Sequence, residues 1–213
     1  MLIIKKLCFT GFFIIIAATG VALGLKAAVG VGAWDAFSQA TSMVTGIKVG
    51  TFSMMMNLSC IVVQLVILKK DFKPLAFLQI FMAVLLGVFV NLVYYDILGS
   101  ITISGYFVNL LIYVGSLLVI IAAVALIMSI DFLSFPLEAA CVAIASKTRF
   151  KFGTIRQWVD IFAIIGAVTI AFLFQNPIPV REGTVIGMLM FGPLIARFIP
   201  MFQPLVKKWG LTE

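Results

Sequence analysis

Residues 45–51, Thr-Gly-Ile-Lys-Val-Gly-Thr, return at 148–154 as Thr-Arg-Phe-Lys-Phe-Gly-Thr. The same offset of 103 residues carries Asp35 onto Glu138 and Asn57 onto Asp160. After a slip of two residues, Gly87 falls on Gly192. Apolar coincidences are common in an oily sequence, but matched polar residues and glycines at one spacing are not. We read a duplication, with residues 1–100 as the first repeat and 105–205 as the second, together forming a single membrane domain.

The setting of the repeat decides its architecture. The chain is 63% hydrophobic and 11% charged, with a mean hydropathy of +1.24. A soluble domain carries roughly 25% charged residues, so the solvent here is a bilayer. Apolar runs lie at about Leu7–Leu25, Thr51–Leu68, Leu75–Leu98, Phe107–Ile130, Gly153–Phe174 and Gly183–Phe202. Each approaches the roughly 20 residues that a crossing helix needs, and helices satisfy their own backbone groups where lipid cannot. The sequence therefore predicts an all-α polytopic protein with six transmembrane helices. The first run follows Lys5 and Lys6 as a signal peptide would, but its counterpart in the second repeat argues for a retained span.

Two further segments, Trp34–Gly46 and Pro136–Lys147, are too short to cross. Gly30 and Gly32 precede one, and Ser134 and Pro136 open the other. Each half then reads as span, short helix, span, span, with the short helix re-entrant or interfacial. Three crossings per half is odd, so the second half enters from the opposite face. This predicts two inverted three-helix repeats.

The cations set the orientation. With Lys5 and Lys6 inside, six crossings put Lys69, Lys70 and Lys73 inside, then Lys147, Arg149 and Lys151, then Lys207 and Lys208. Arg156 and Arg197 fall near inner span ends, and only Lys26, Lys48 and Arg181 of the 15 cations lie outside. This bias predicts cytoplasmic N and C termini. It also explains the net charge of +7 without nucleic acid as a partner.

Candidate functional residues are the polar groups that a membrane interior tolerates poorly. Asp35, Ser38, Gln39, Ser42 and Thr45 share one face of the first short helix at spacings of three and four. That stripe suits either an aqueous cavity or an interfacial helix. Asp35 occupies a first turn, where a carboxylate also favours the helix dipole, and Glu138 is its repeat mate. Asp160 lies four residues after Arg156 on one face, a spacing for a local ion pair. Asn57 is the neutral mate of Asp160. Gln64 and Gln79 are either ligands or interhelical hydrogen-bond partners. We expect Asp35 and Glu138 at opposite entrances of one pathway, with Asn57 and Asp160 deeper in.

Pro193 should kink the last span. Ala18, Ala22, Gly20 and Gly24 give the first span a small-residue face for packing inside the chain, or against a second copy or a partner subunit. The sequence has no histidine, and Cys8, Cys60 and Cys141 lack CxxC spacing, so no metal site and no cofactor are expected.

The stretches Gly30-Val-Gly-Ala-Trp-Asp-Ala-Phe, Thr45 to Thr51, Gly183-Thr-Val-Ile-Gly and Gly192-Pro193 resemble the YczE/YyaS/YitT group of bacterial integral membrane proteins. The resemblance spans nearly the whole chain. It implies a multi-pass protein of the bacterial inner membrane, and it brings no catalytic motif.

Taken together, these features favour a transporter or facilitator of a small polar solute or ion, with its pathway where the repeats meet. The alternatives are a substrate-binding membrane subunit of a larger ATP-driven uptake complex, or a structural membrane protein. No nucleophile–base pair at recognisable spacing suggests an enzyme.

Overall fold

The computed structural model describes residues 2–211. Among them the chain is helical throughout: α1 (Leu2–Ala27), α2 (Ala33–Thr45), α3 (Val49–Leu68), α4 (Leu78–Asn91), α5 (Tyr106–Ser129), α6 (Pro136–Lys147), α7 (Phe152–Leu173) and α8 (Glu182–Lys208). Short 3-10 turns at Lys69–Asp71 and Pro74–Phe77 join α3 to α4, and a π turn at Leu92–Ile97 prolongs α4. Six helices are long and apolar enough to cross a membrane, and α2 and α6 are not among them. This is the all-α, six-span architecture that the sequence predicts.

Local chemistry sets the ends. Gly46 stops α2 in the left-handed region at φ 73°, with its N–H on Ser42 O. Pro136 opens α6, where a missing N–H does no harm. Gly30, at φ +113°, makes the turn before α2. A β-carbon there would stand 2.8 Å from the Thr184 backbone nitrogen, so only glycine lets the start of α8 dock on this loop. The docking itself is Gly183 N to Val29 O at 2.8 Å and Val31 N to Thr184 Oγ1 at 3.3 Å. α8 runs on unbroken through Pro193, Pro200 and Pro204, six residues past the expected span end at Phe202.

α1 is central and packs on both α5 and α4. Its small residues let it approach: Ala18 and Ala22 are fully buried, Gly20 lies against Ile120, and Gly24 against Ser116 and Tyr113. The small-residue face is therefore used inside the chain. Lower down, Phe13, Ile14 and Ala17 share a cluster with Ala123, Val124 and Ile127. Contacts that move forward along α1 move backward along α5, so the two helices are antiparallel.

The rest of the packing follows a paired pattern. α1 lies on α4 and α5 on α8; α2 lies on α3 and α6 on α7. The short helices are exchanged, α2 seating on α7 and α6 on α3. Ala36, Ser38 and Ala40 of α2 are fully buried, so α2 is a packed element and does not rest on a rim. One pairing is unmatched: α3 packs closely on α4, whereas α7 makes no comparable packing with α8.

The termini meet on one face. Lys5 Nζ donates to Trp209 O at 2.6 Å, and Phe9 stacks on Trp209 at 5.5 Å. On the same face, six crossings place the α3–α4 link and the end of α6, which Asp71 and Lys147 join at 2.7 Å. On the other face Lys26 Nζ donates to Gly99 O, and Arg181 to Ala28 O.

Candidate functional site

The seam left between α7 and α8 opens onto a cavity of about 430 Å³. Four candidate groups that the 103-residue offset relates in pairs, Asp35 with Glu138 and Asn57 with Asp160, all line it, as does Arg156. α2, α6, α3 and α7 each contribute one member of these pairs. The walls are otherwise mainly apolar and aromatic, with Trp34, Phe135, Phe152 and Phe191 among them.

Arg156 is the hub. Its Nη1 bonds the Asp160 carboxylate one turn along α7, and its Nε lies 3.7 Å from Glu138 Oε1. The three side chains are 18%, 17% and 10% exposed, so the cluster is largely withdrawn from solvent. Its guanidinium also sits 6.0 Å from the Phe191 ring centre. The local pair expected from the four-residue spacing is present, but it reaches across to α6 as well. Glu138 and Asp160 thus share one cation, where the sequence suggested that one marks an entrance and the other lies deeper. Asp35 makes no hydrogen bond or ion pair among the described residues. Lys48 does not reach it and lies over the Tyr95 ring at 5.2 Å.

Three of the candidates lie away from this cavity. Ser38 is fully buried, donates to Trp34 O at 3.1 Å and touches Met56 Sδ. Gln39 is half-buried on α2 but does not line the cavity. Gln64 bonds Gln79 and Pro136 O. Of the polar stripe on α2 only Asp35 lines the cavity; Ser42 donates to Ile47 O and Thr45 to Thr41 O. A hydroxyl in a helix readily satisfies itself on a nearby carbonyl, which hides such residues from a periodicity argument.

The structure adds residues that sequence reasoning passed over. Ser53, Ser116, Gln157 and Tyr113 line the cavity. Tyr113 is 3% exposed, and its hydroxyl has no hydrogen-bond partner among the described residues. The hydroxyl lies against Gly187, itself a wall residue. Trp34 Nε1 is likewise buried without a partner. Buried polar groups are rarely left unpaired, and both of these belong to residues that line the cavity. Nothing in an apolar run distinguishes such a tyrosine from a packing aromatic.

The chain belongs to DUF6198, a family of unknown function whose model matches residues 4–200. No curated protein and no solved structure matches it. The match thus spans every residue of the cavity.

Proposed function

We propose that this DUF6198 member is a membrane transporter or facilitator of a small polar solute, with two inverted repeats enclosing the pathway. The observation that carries this is the cavity: repeat-related polar residues from both halves converge on one space inside a six-helix bundle. Inverted repeats place solute sites where the repeats meet. The antiparallel α1 and α5, at offset-related positions, support the inversion. The exchange of α2 and α6 supports the repeat itself, because a twofold axis turns each of those contacts into the other.

Acids inside a bilayer cost about 2.5–3.5 kcal/mol each on insertion scales, so they persist where they face a cavity or a partner. Arg156, Glu138 and Asp160 do both. The basic residues on the face that holds both termini favour a cytoplasmic assignment for that face, in the inner membrane of a bacterium. The likeness to the YczE/YyaS/YitT group supports that compartment.

The test is flux. Purified protein in vesicles, offered amines, amino acids and sugars, should exchange one class across the bilayer, and Asn57→Leu should abolish the exchange. Retained flux in a folded Asn57→Leu protein would refute the pathway. A second reading, a binding subunit of an ATP-driven complex, draws on α8, whose most apolar stretch is 6% buried. A copurifying ATPase required for uptake would favour it.

A further inference from the structure

The charges of the cavity do not balance. Asp35, Glu138 and Asp160 line it against Arg156 alone, and that guanidinium already serves Glu138 and Asp160. With all four ionised, the site is doubly negative. A buried charge needs a partner. The walls carry aromatic faces that attract cations, Trp34 and Phe135 among them.

The size of the space narrows the class. About 430 Å³ falls within the range of organic-ligand sites, roughly 300–1,000 Å³, and far exceeds what one ion fills. Among the described residues, no three acidic or thiol groups gather as a metal site requires. We propose that the cavity binds a small organic cation, an ammonium or guanidinium ion with an apolar body, its charge on Asp35 and its body against Trp34 and Phe135. This rests on the reading that the cavity takes a solute, but not on that solute crossing the membrane.

Three probes suffice for the test: phenethylammonium, guanidinium and tetramethylammonium, titrated by calorimetry into purified protein in nanodiscs. At least one should bind saturably, with 2-phenylethanol and 3-phenylpropionate at least tenfold weaker than phenethylammonium. Asp35→Asn should weaken the bound cation about tenfold or more, with unchanged size-exclusion behaviour. Equal binding of the neutral alcohol, undiminished binding by folded Asp35→Asn, or no saturable binding by any of the three cations would overturn the proposal. Binding without flux in vesicles would sink the transport reading and leave this one standing.

A separate observation concerns the open seam. A methyl group built on Gly87 would stand 2.5 Å from the Gly50 carbonyl oxygen, so α3 and α4 touch backbone to backbone. Asn91 locks the contact, accepting from Gly50 N at 2.9 Å and donating to Thr51 Oγ1 at 2.9 Å. The repeat mates, Gly153 on α7 and Gly192 on α8, have no atom within 4 Å of such a methyl, and both line the cavity. We infer that α7 closes on α8 through Gly153 and Gly192, shutting the cavity. This rests on the repeat and is independent of ligand class.

A disulfide needs β-carbons about 3.8 Å apart, and no atom of the facing helix lies within 4 Å of a β-carbon built on Gly153 or on Gly192. Gly153→Cys with Gly192→Cys, in a background of Cys8→Ser, Cys60→Ala and Cys141→Ala, should therefore cross-link under copper phenanthroline only by closing. A control pair, Gly153→Cys with Phe172→Cys, should not. Failure of the first pair to cross-link in folded protein, or equal cross-linking of the control, would overturn closure.

Discussion

Gln64 and Gln79 hold each other across α3 and α4, Gln64 Nε2 donating to Gln79 Oε1 at 2.9 Å and Gln79 Nε2 to Gln64 Oε1 at 3.3 Å. Both are buried, and Gln64 also donates to Pro136 O at 3.1 Å, at the head of α6. One amide pair thus ties three elements. Gln64→Leu should destabilise by about 1–2 kcal/mol, because Gln79 then buries an unpaired amide. The double leucine variant should lose less than the sum of the singles. Reversible unfolding in SDS–detergent mixtures measures all three, and strict additivity would show that the pair is not coupled.

The glycines of the two halves should respond in opposite ways. Gly87→Ala forces backbone apart and should cost about 1–3 kcal/mol. Gly192→Ala meets open space and should change stability by less than about 0.5 kcal/mol. Thermal unfolding of both in one detergent compares them, and equal losses would contradict the asymmetry.

Removing the shared cation should be severe. Arg156→Gln leaves Glu138 and Asp160 buried together without a counter-charge, and a loss of about 3–5 kcal/mol is expected. Adding Glu138→Gln and Asp160→Asn should restore much of it. A triple variant no more stable than Arg156→Gln would show that the damage is steric.

Tyr113→Phe deletes a hydroxyl that has no partner. Stability should hold or rise slightly, since nothing is left unpaired, while affinity for the bound cation falls. A loss of stability on thermal unfolding would reveal a partner for this group within the fold.

The orientation can be read with a single thiol. Thr102→Cys, in the link between α4 and α5, should label from outside intact cells with an impermeant maleimide. Labelling only after permeabilisation would reverse the assignment of faces.

The spans were legible because lipid demands long apolar runs, and the short helices because Gly30, Gly32 and Pro136 interrupt them. Span ends were less so. α1 begins at Leu2 and includes Lys5 and Lys6, since long basic side chains can reach water from inside a helix. α8 continues past Phe202 because its prolines each remove one bond without ending the helix. At the site, Asp35, Glu138, Asp160 and Arg156 stood out as charges in an oily sequence. Tyr113 and Trp34 did not, because burial without a partner is a property of the fold. The π turn at Leu92–Ile97 had no signal in composition or spacing.

The exchange of short helices has a consequence for biosynthesis. α2 leaves the ribosome early, yet the surface it rests on, α7, follows more than a hundred residues later. Until then α2 has α3 beside it but not α7, and the first half waits in the bilayer unfinished. α6 meets the reverse situation, arriving to find α3 in place. The packing of the first short helix is therefore completed only when the last third of the protein has been made.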